Sequence, residues 1–228
     1  DLYAGGRFFE AGGEPVRCVA RWNGSSWSAL STGLGQAIND CVYALAVSGS
    51  DLYVGGYFSQ AGDQPANGIA RWNGSSWSPL GGGAENGVYG LVTALAVSGG
   101  DLYVGGPFIR AGGLPAGQIA RWDGSNWSTL RTGVYGTPEA LAVFGGDLYV
   151  AGDFAYVDGQ PANGLARWNG SAWQGLNNGG PPEVIRALAA DANSLFAGDT
   201  GLRQTPLPGL QSKTPSGVIR SIASEPPA

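Results

Sequence analysis

The sequence predicts an all-β fold, a closed ring of five four-stranded antiparallel blades made from copies of one unit. Three observations predict it. The chain repeats itself from positions near 1, 51, 101, 147 and 194, so the copies are spaced by 50, 50, 46 and 47 residues. Each copy breaks into short apolar runs bounded by glycine turn signals, which is the strand signature. No segment carries a convincing 3.6-residue apolar period, so no helix is expected.

The strands of one repeat follow from its blocks. Asp1-Leu2-Tyr3-Ala4-Gly5-Gly6 recurs at Asp51–Gly56, Asp101–Gly106 and Asp147–Gly152, with a degenerate copy at Ser194–Gly198; this is strand B. Ala20-Arg21-Trp22-Asn23-Gly24-Ser25-Ser26-Trp27 recurs from Ala70, Ala120 and Ala166 and supplies strands C and D; all 8 tryptophans lie in these blocks. Asn-Gly or Asp-Gly follows Trp22, Trp72, Trp122 and Trp168. That dipeptide favours a type I′ turn and so a tight C–D hairpin. Strand A is Tyr43–Val47, Thr93–Val97, Glu139–Val143 and Arg186–Ala190, with a last echo at Arg220–Ala223. Its alternating small residues suit a crowded centre.

Four antiparallel strands in 40–50 residues make a β-propeller blade, and residues 1–228 read as one such domain. The chain opens on a B strand and closes on an A strand. Ile219–Ser224 is therefore expected to complete the first blade beside Asp1–Phe8, joining the N- and C-terminal strands and removing an open sheet edge.

Composition narrows the function. Glycine is 41 of 228 residues, about 18% against a usual 7%. Hydrophobic residues at 43% still supply a sizeable core. No apolar run is long enough for a membrane helix. A net charge of -5 without a basic cluster argues against nucleic acid and anionic membranes. Histidine is absent. That removes the Ser-His-Asp triad, His-ligated zinc or copper, and histidine acid–base catalysis. Two cysteines cannot build a four-cysteine zinc site. No catalytic residue, metal or cofactor is expected. No signal peptide is visible at Asp1, so any export signal is expected to have been removed.

The blocks resemble the kelch repeat of the galactose oxidase central-domain type. Leu52-Tyr53-Val54-Gly55-Gly56 matches its diglycine strand, and Ile69-Ala70-Arg71-Trp72 with Trp77 matches its aromatic pair. Four repeats match well and the fifth weakly, with Leu202-Arg203-Gln204-Thr205 in place of a Trp-bearing strand. The Phe-x-x-Ala-Gly-Gly and Ala-Arg-Trp-Asn/Asp-Gly-Ser-x-Trp forms are similar to a variant of secreted and surface proteins. The resemblance implies a propeller fold and an extracellular, cell-surface or periplasmic location. Kelch propellers usually have six or seven blades, so five is a departure. The copper radical oxidases of this type need histidine ligands that this chain lacks.

Repeated residues are expected to build the scaffold. The diglycines pack strand B closely. The tryptophan pairs pack blades together, though they could also offer sugar platforms. Arg21, Arg71, Arg121 and Arg167 are expected to stack on tryptophan and bond loop carbonyls. Asp51, Asp101 and Asp147 are expected to bond within their hairpin turns, because no calcium loop surrounds them. Cys18 and Cys41 fit either a disulfide or two reduced thiols. The Asn-x-Ser sequons at Asn23, Asn73, Asn126 and Asn169 mostly coincide with turns that explain them.

Function is sought where the repeats diverge, in the B–C loops (9–16, 59–67, 109–117, 155–163) and the D–A loops (32–41, 81–92, 132–138, 177–184). Arg7, Tyr43, Tyr57, Tyr89, Arg110, Tyr135, Tyr156 and Arg186 lie in or beside them, and tyrosine and arginine are typical interface anchors. The expected function is non-enzymatic binding of a protein partner through this loop face. The alternatives are a structural subunit of a surface assembly and a multivalent glycan-binding lectin.

Overall fold

The computed structural model describes residues 1–34, 40–83, 86–176, 184–191, 194–199 and 220–221. The first unit holds β1 (Leu2–Gly5), a hairpin of β2 (Glu10–Ala11) and β3 (Glu14–Pro15), then β4 (Val19–Trp22) and β5 (Trp27–Ala29). The second holds β6 (Cys41–Ser48), β7 (Asp51–Tyr57), the hairpin of β8 (Gln60–Ala61) and β9 (Gln64–Pro65), β10 (Ile69–Trp72) and β11 (Trp77–Pro79). The third holds β12 (Val88–Gly90), β13 (Ala94–Ser98), β14 (Asp101–Gly105), β15 (Phe108–Ala111), β16 (Leu114–Pro115), β17 (Ile119–Trp122) and β18 (Trp127–Thr129). The fourth holds β19 (Val134–Phe144), β20 (Asp147–Val157), β21 (Gln160–Pro161), β22 (Leu165–Trp168) and β23 (Trp173–Gly175). The last holds β24 (Ile185–Ala190), β25 (Leu195–Asp199) and β26 (Arg220–Ser221).

The A-B-C-D order holds in β6-β7-β10-β11, β13-β14-β17-β18 and β19-β20-β22-β23, all antiparallel. The first unit is β1-β4-β5, without an A strand among the described residues. The expected closure is not found there either. β26 pairs in parallel with β25, not with β1, while Ile219 and residues 222–224 lie outside the described set. So do Leu202–Thr205, the expected fifth C strand.

One local expectation is corrected. The C–D connection is not a type I′ turn, which needs positive φ at two successive residues. Trp22 pairs with Trp27, leaving a four-residue link in which Gly24 (φ 100°) alone has positive φ. Asn23 Oδ1 shapes the link by accepting the Ser25 and Ser26 amides at 2.8 and 2.9 Å. Each B–C loop folds into a short hairpin of its own.

The core consists of layers between neighbouring sheets. One joins Val19, Leu30 and Leu34 to Val54, Ala70 and Trp72. The next joins Ile69 and Leu80 to Val104, Phe108 and Trp122, and a third joins Ile119 and Leu130 to Val150, Phe154 and Trp168. Tryptophan fastens each layer: Trp77, Trp127 and Trp173 donate Nε1–H to the carbonyls of Leu30, Leu80 and Leu130 in the preceding unit, at 2.8–2.9 Å. Within its own unit each meets its partner ring, with centroids 5.2–5.4 Å apart. The six tryptophans of units two to four are 6–9% exposed, so they pack blades and present no stacking face for a sugar.

The diglycine is a clearance device. A Cβ on Gly56 would lie 2.1 Å from the Cys41 carbonyl oxygen, and one on Gly55 would lie 2.4 Å from Val92 of the next unit. The first glycine admits the next blade, and the second admits the adjoining A strand.

Candidate functional site

In an A-B-C-D antiparallel sheet, the B–C and D–A connections share one end. That end is the loop face. Ten large hydrophobic side chains are exposed among the described residues, and all but Leu2 and Val47 sit in or beside these connections. They include every tyrosine expected at the site, with exposures from 51% at Tyr156 to 76% at Tyr135.

The eight expected residues occupy four repeat positions. Arg7 and Tyr57 each follow a diglycine. Tyr43 and Arg186 are extra residues at β-bulges: Val42 pairs with Gly56 and Ala44 with Gly55, and the register skips likewise between Ile185 and Ala187. A bulge leaves its extra residue unpaired and re-aims it. Tyr89 and Tyr135 lie in repeated Val-Tyr-Gly segments, each paired with Ala/Val, Arg/Tyr and Phe of a following strand. Tyr89 faces Arg110 across β12–β15, and Tyr135 faces Tyr156 across β19–β20.

The structure joins some of these residues and diverts others. Tyr43 feels the Arg7 charge, but a hydrogen bond with Cys41 dominates and raises its phenol above the ordinary value. Arg186 is drawn to Glu139 at 2.8 Å. Glu139 is itself a bulge residue, between Pro138 and Ala140. It had been read only as the start of an A strand, and alignment of the repeats against Tyr43 is the signal that finds it. Arg110 reaches back to the Gly113 carbonyl at 2.5 Å.

Two clefts of about 320 Å³ each open on this face, one between the second and third units and one within the first. One is walled by Tyr89, Ile109 and Arg110 over Asn67 and Asn86. Its floor is pre-formed: Asn86 Oδ1 accepts from the Asn67 amide, and its Nδ2 donates to the Pro65 carbonyl at 3.1 Å. The other is lined by Phe9, Val16, Arg17, Ser31 and Thr32. At the third junction a charged clamp is built instead. Thr132 Oγ1 donates to Asp158 at 2.7 Å and Arg131 reaches it at 2.9 Å, and both hydrogen bonds hold its carboxyl below the usual range.

The scaffold charges are corrected. Arg21, Arg71, Arg121 and Arg167 pair with Asp1, Asp51, Asp101 and Asp147 at 2.5–2.9 Å, in place of bonding loop carbonyls. The reason is register. Leu opens opposite Trp and Tyr opposite Arg, so the aspartate one residue earlier lies diagonal to the arginine. Arg7, Arg17 and Arg110 enter none of these ion pairs, and all three lie between strands B and C of their units.

Cys18 and Cys41 are buried thiols. No group of three or more potential metal ligands occurs among the described residues. No helix is long and apolar enough to cross a membrane.

Comparisons agree on the architecture. The β-propeller domain of unknown function DUF5122 matches residues 146–170. No curated protein matches the chain. Among solved structures, the extracellular domain of BT4673 from B. thetaiotaomicron, described as a one-component system, is similar at 16% identity and a TM-score of 0.52. The match covers 80% of this chain and 23% of that one, so the chain spans about a quarter of that neighbour's length. YCF48, in a structure with D1 peptide bound, is similar at 17% identity over 64% of this chain and 43% of that one, with a TM-score of 0.41. The sheet topology, the family match and the likeness to the BT4673 domain give the chain an all-β, mostly antiparallel fold of propeller type.

Proposed function

We propose that this propeller is a non-enzymatic binding module that takes a protein partner on its loop face. One observation carries the reading. The exposed tyrosines and the unpaired arginines collect on the same end of the molecule, while the repeated tryptophans, glycines and Asp–Arg pairs are used in the scaffold. Tyrosine and arginine give large contact area with few rotors to freeze, which suits hot spots. The bulge residues Tyr43, Glu139 and Arg186 and the Tyr89–Arg110 cleft are the proposed contacts. The kelch-like sequence pattern supports an extracellular or surface setting.

The test is recovery of partners from the native source with immobilised wild-type protein, beside a Tyr89→Ala/Arg110→Ala double variant and a Ser75→Ala control at a C–D tip. A protein retained by wild type and control but lost with the double variant supports the reading. Equal recovery by all three overturns it. Capture that is competed by free glycans would transfer the face to the lectin reading.

A further inference from the structure

Both cysteines of the chain break the repeat at one place. The position of Cys18 is defined by its carbonyl, which accepts the amide of the second diglycine residue, Gly6, at 2.9 Å. The same bond runs from Gly56 to Gly68, from Gly106 to Gln118 and from Gly152 to Gly164. All four positions need positive φ: 60° at Cys18, 66° at Gly68, 62° at Gln118 and 86° at Gly164. Glycine is the natural occupant of such a site. A cysteine there is strained, and at 1% exposure it is shut away from solvent. Packing does not ask for it, because Gly68 and Gly164 fill the same place without a side chain.

The position of Cys41 is defined in the same way. Its carbonyl faces the second diglycine residue Gly56, as Leu91 faces Gly106 and Thr137 faces Gly152. The two exceptional residues therefore flank a single junction, that between the first and second units. Gly6 lies between them: its amide bonds Cys18, and its carbonyl accepts the amide of Val42, next to Cys41, at 3.2 Å. The side chain of Cys18 is directed across that junction. A Cβ at the equivalent Gly68 would lie 3.1 Å from the Gly90 carbonyl. Asp40 is the counterpart of Gly90, and Cys18 Sγ donates to the Asp40 carbonyl at 3.1 Å. The peptide it touches is the one that carries Cys41. Burial, then Asp40 and Cys41, push the Cys18 thiol up, so the two sulfurs feel one another.

We propose that Cys18 and Cys41 form a disulfide in the native fold, a covalent staple across the first inter-blade junction. Thiol–disulfide exchange with a small-molecule disulfide closes it. One protein thiolate attacks the reagent, forming a mixed disulfide and releasing one reagent thiolate. The second protein thiolate then attacks the protein sulfur of that mixed disulfide and releases the other. The two protein thiols are oxidised, the reagent disulfide is reduced to two thiols, and those thiols carry away the two protons. Cys41, at 7% exposure, is the sulfur the reagent reaches first.

The chain is equilibrated with oxidised or reduced glutathione, quenched in acid, alkylated and digested with trypsin. Oxidised protein should be 2 Da lighter before alkylation and yield one cross-linked pair, residues 18–21 with residues 22–71. Its Tm should exceed that of the reduced protein by roughly 6–12 °C, as a loop closed over 22 residues constrains the unfolded chain. The redox difference in Tm should vanish in Cys41→Ser and in Cys18→Gly, the latter carrying the residue that two other repeats use at that position. Glutathione adducts or intermolecular dimers without the cross-linked pair would overturn the proposal. So would an oxidised Tm no higher than the reduced one.

Discussion

A single indole nitrogen does much of the work of joining one blade to the next. The Trp127 Nε1–H is buried and its acceptor, the Leu80 carbonyl, belongs to another sheet. Trp127→Phe keeps most of the ring area and strands that carbonyl. We expect a loss of about 1–3 kcal/mol in denaturant unfolding, the usual penalty for an unpaired buried polar group. Trp27→Phe should change stability by under about 0.5 kcal/mol, because Trp27 is only half-buried in the leading sheet. Gly56→Ala tests the clearance argument. With the Cys41 carbonyl 2.1 Å from the new methyl group, the A strand must shift, and a cost of about 3 kcal/mol is expected from overpacking. The role of these residues was legible in the sequence, since identity across four repeats leaves little besides architecture to explain them. The Asp–Arg pairs were not read from the sequence, although Asp1 to Arg21, Asp51 to Arg71, Asp101 to Arg121 and Asp147 to Arg167 are each 20 residues apart. Only the pairing register shows that this spacing brings the charges together.

At the scale of elements, the main strands follow directly from the repeated blocks, and the connections do not. Val88–Gly90 and Phe108–Ala111 pair because the D–A segment of one unit lies against the B–C segment of the next, a contact between residues 18 to 23 apart in sequence with little local propensity behind it. The bulges were hidden for the same reason, since Tyr43, Glu139 and Arg186 differ chemically and share only a register slip. The third junction offers a pH test of its clamp. Asp158 has a lowered pKa, chiefly through the Thr132 hydroxyl and then Arg131. Its contribution is complete above the unfolded carboxyl value near 3.9 and is lost as pH falls through the folded value. Asp158→Asn should therefore melt below wild type at pH 7, and the gap should close as the pH falls through the lowered carboxyl value. A gap that stays constant from pH 7 to pH 2 would remove the charge from the explanation.

The whole molecule is a stack with a direction. At the three junctions between the first four units, the leading side of a blade donates backbone and indole bonds to the blade before: Gly62, Gly112 and Asp158 donate backbone amides to Gly33, Gly87 and Gly133, in step with the tryptophans. The first unit shows that leading side uncovered, with Leu2 at 59% exposure against 1% for Leu52 and Leu102. Amide hydrogen exchange should accordingly be faster in β1 than in β7 or β14, where the strand is held on both edges and covered on both faces. Equal protection in the three strands would mean that the leading side is covered in solution. The order of strands within each blade could be read from one copy of the repeat. The closure of the ring could not, because it depends on which edge the last strand meets.

The directional bonding has a consequence for how such a chain can lengthen. Because the three junctions between the first four units share the same backbone and indole bonds, duplicating a stretch such as residues 51–100 in tandem would create a new junction of the same type on each side of the insert. Such an array tolerates copying errors of whole units far better than it tolerates a shift of a single residue. The near-identical blocks of this chain are what in-frame duplication of one gene segment would leave behind.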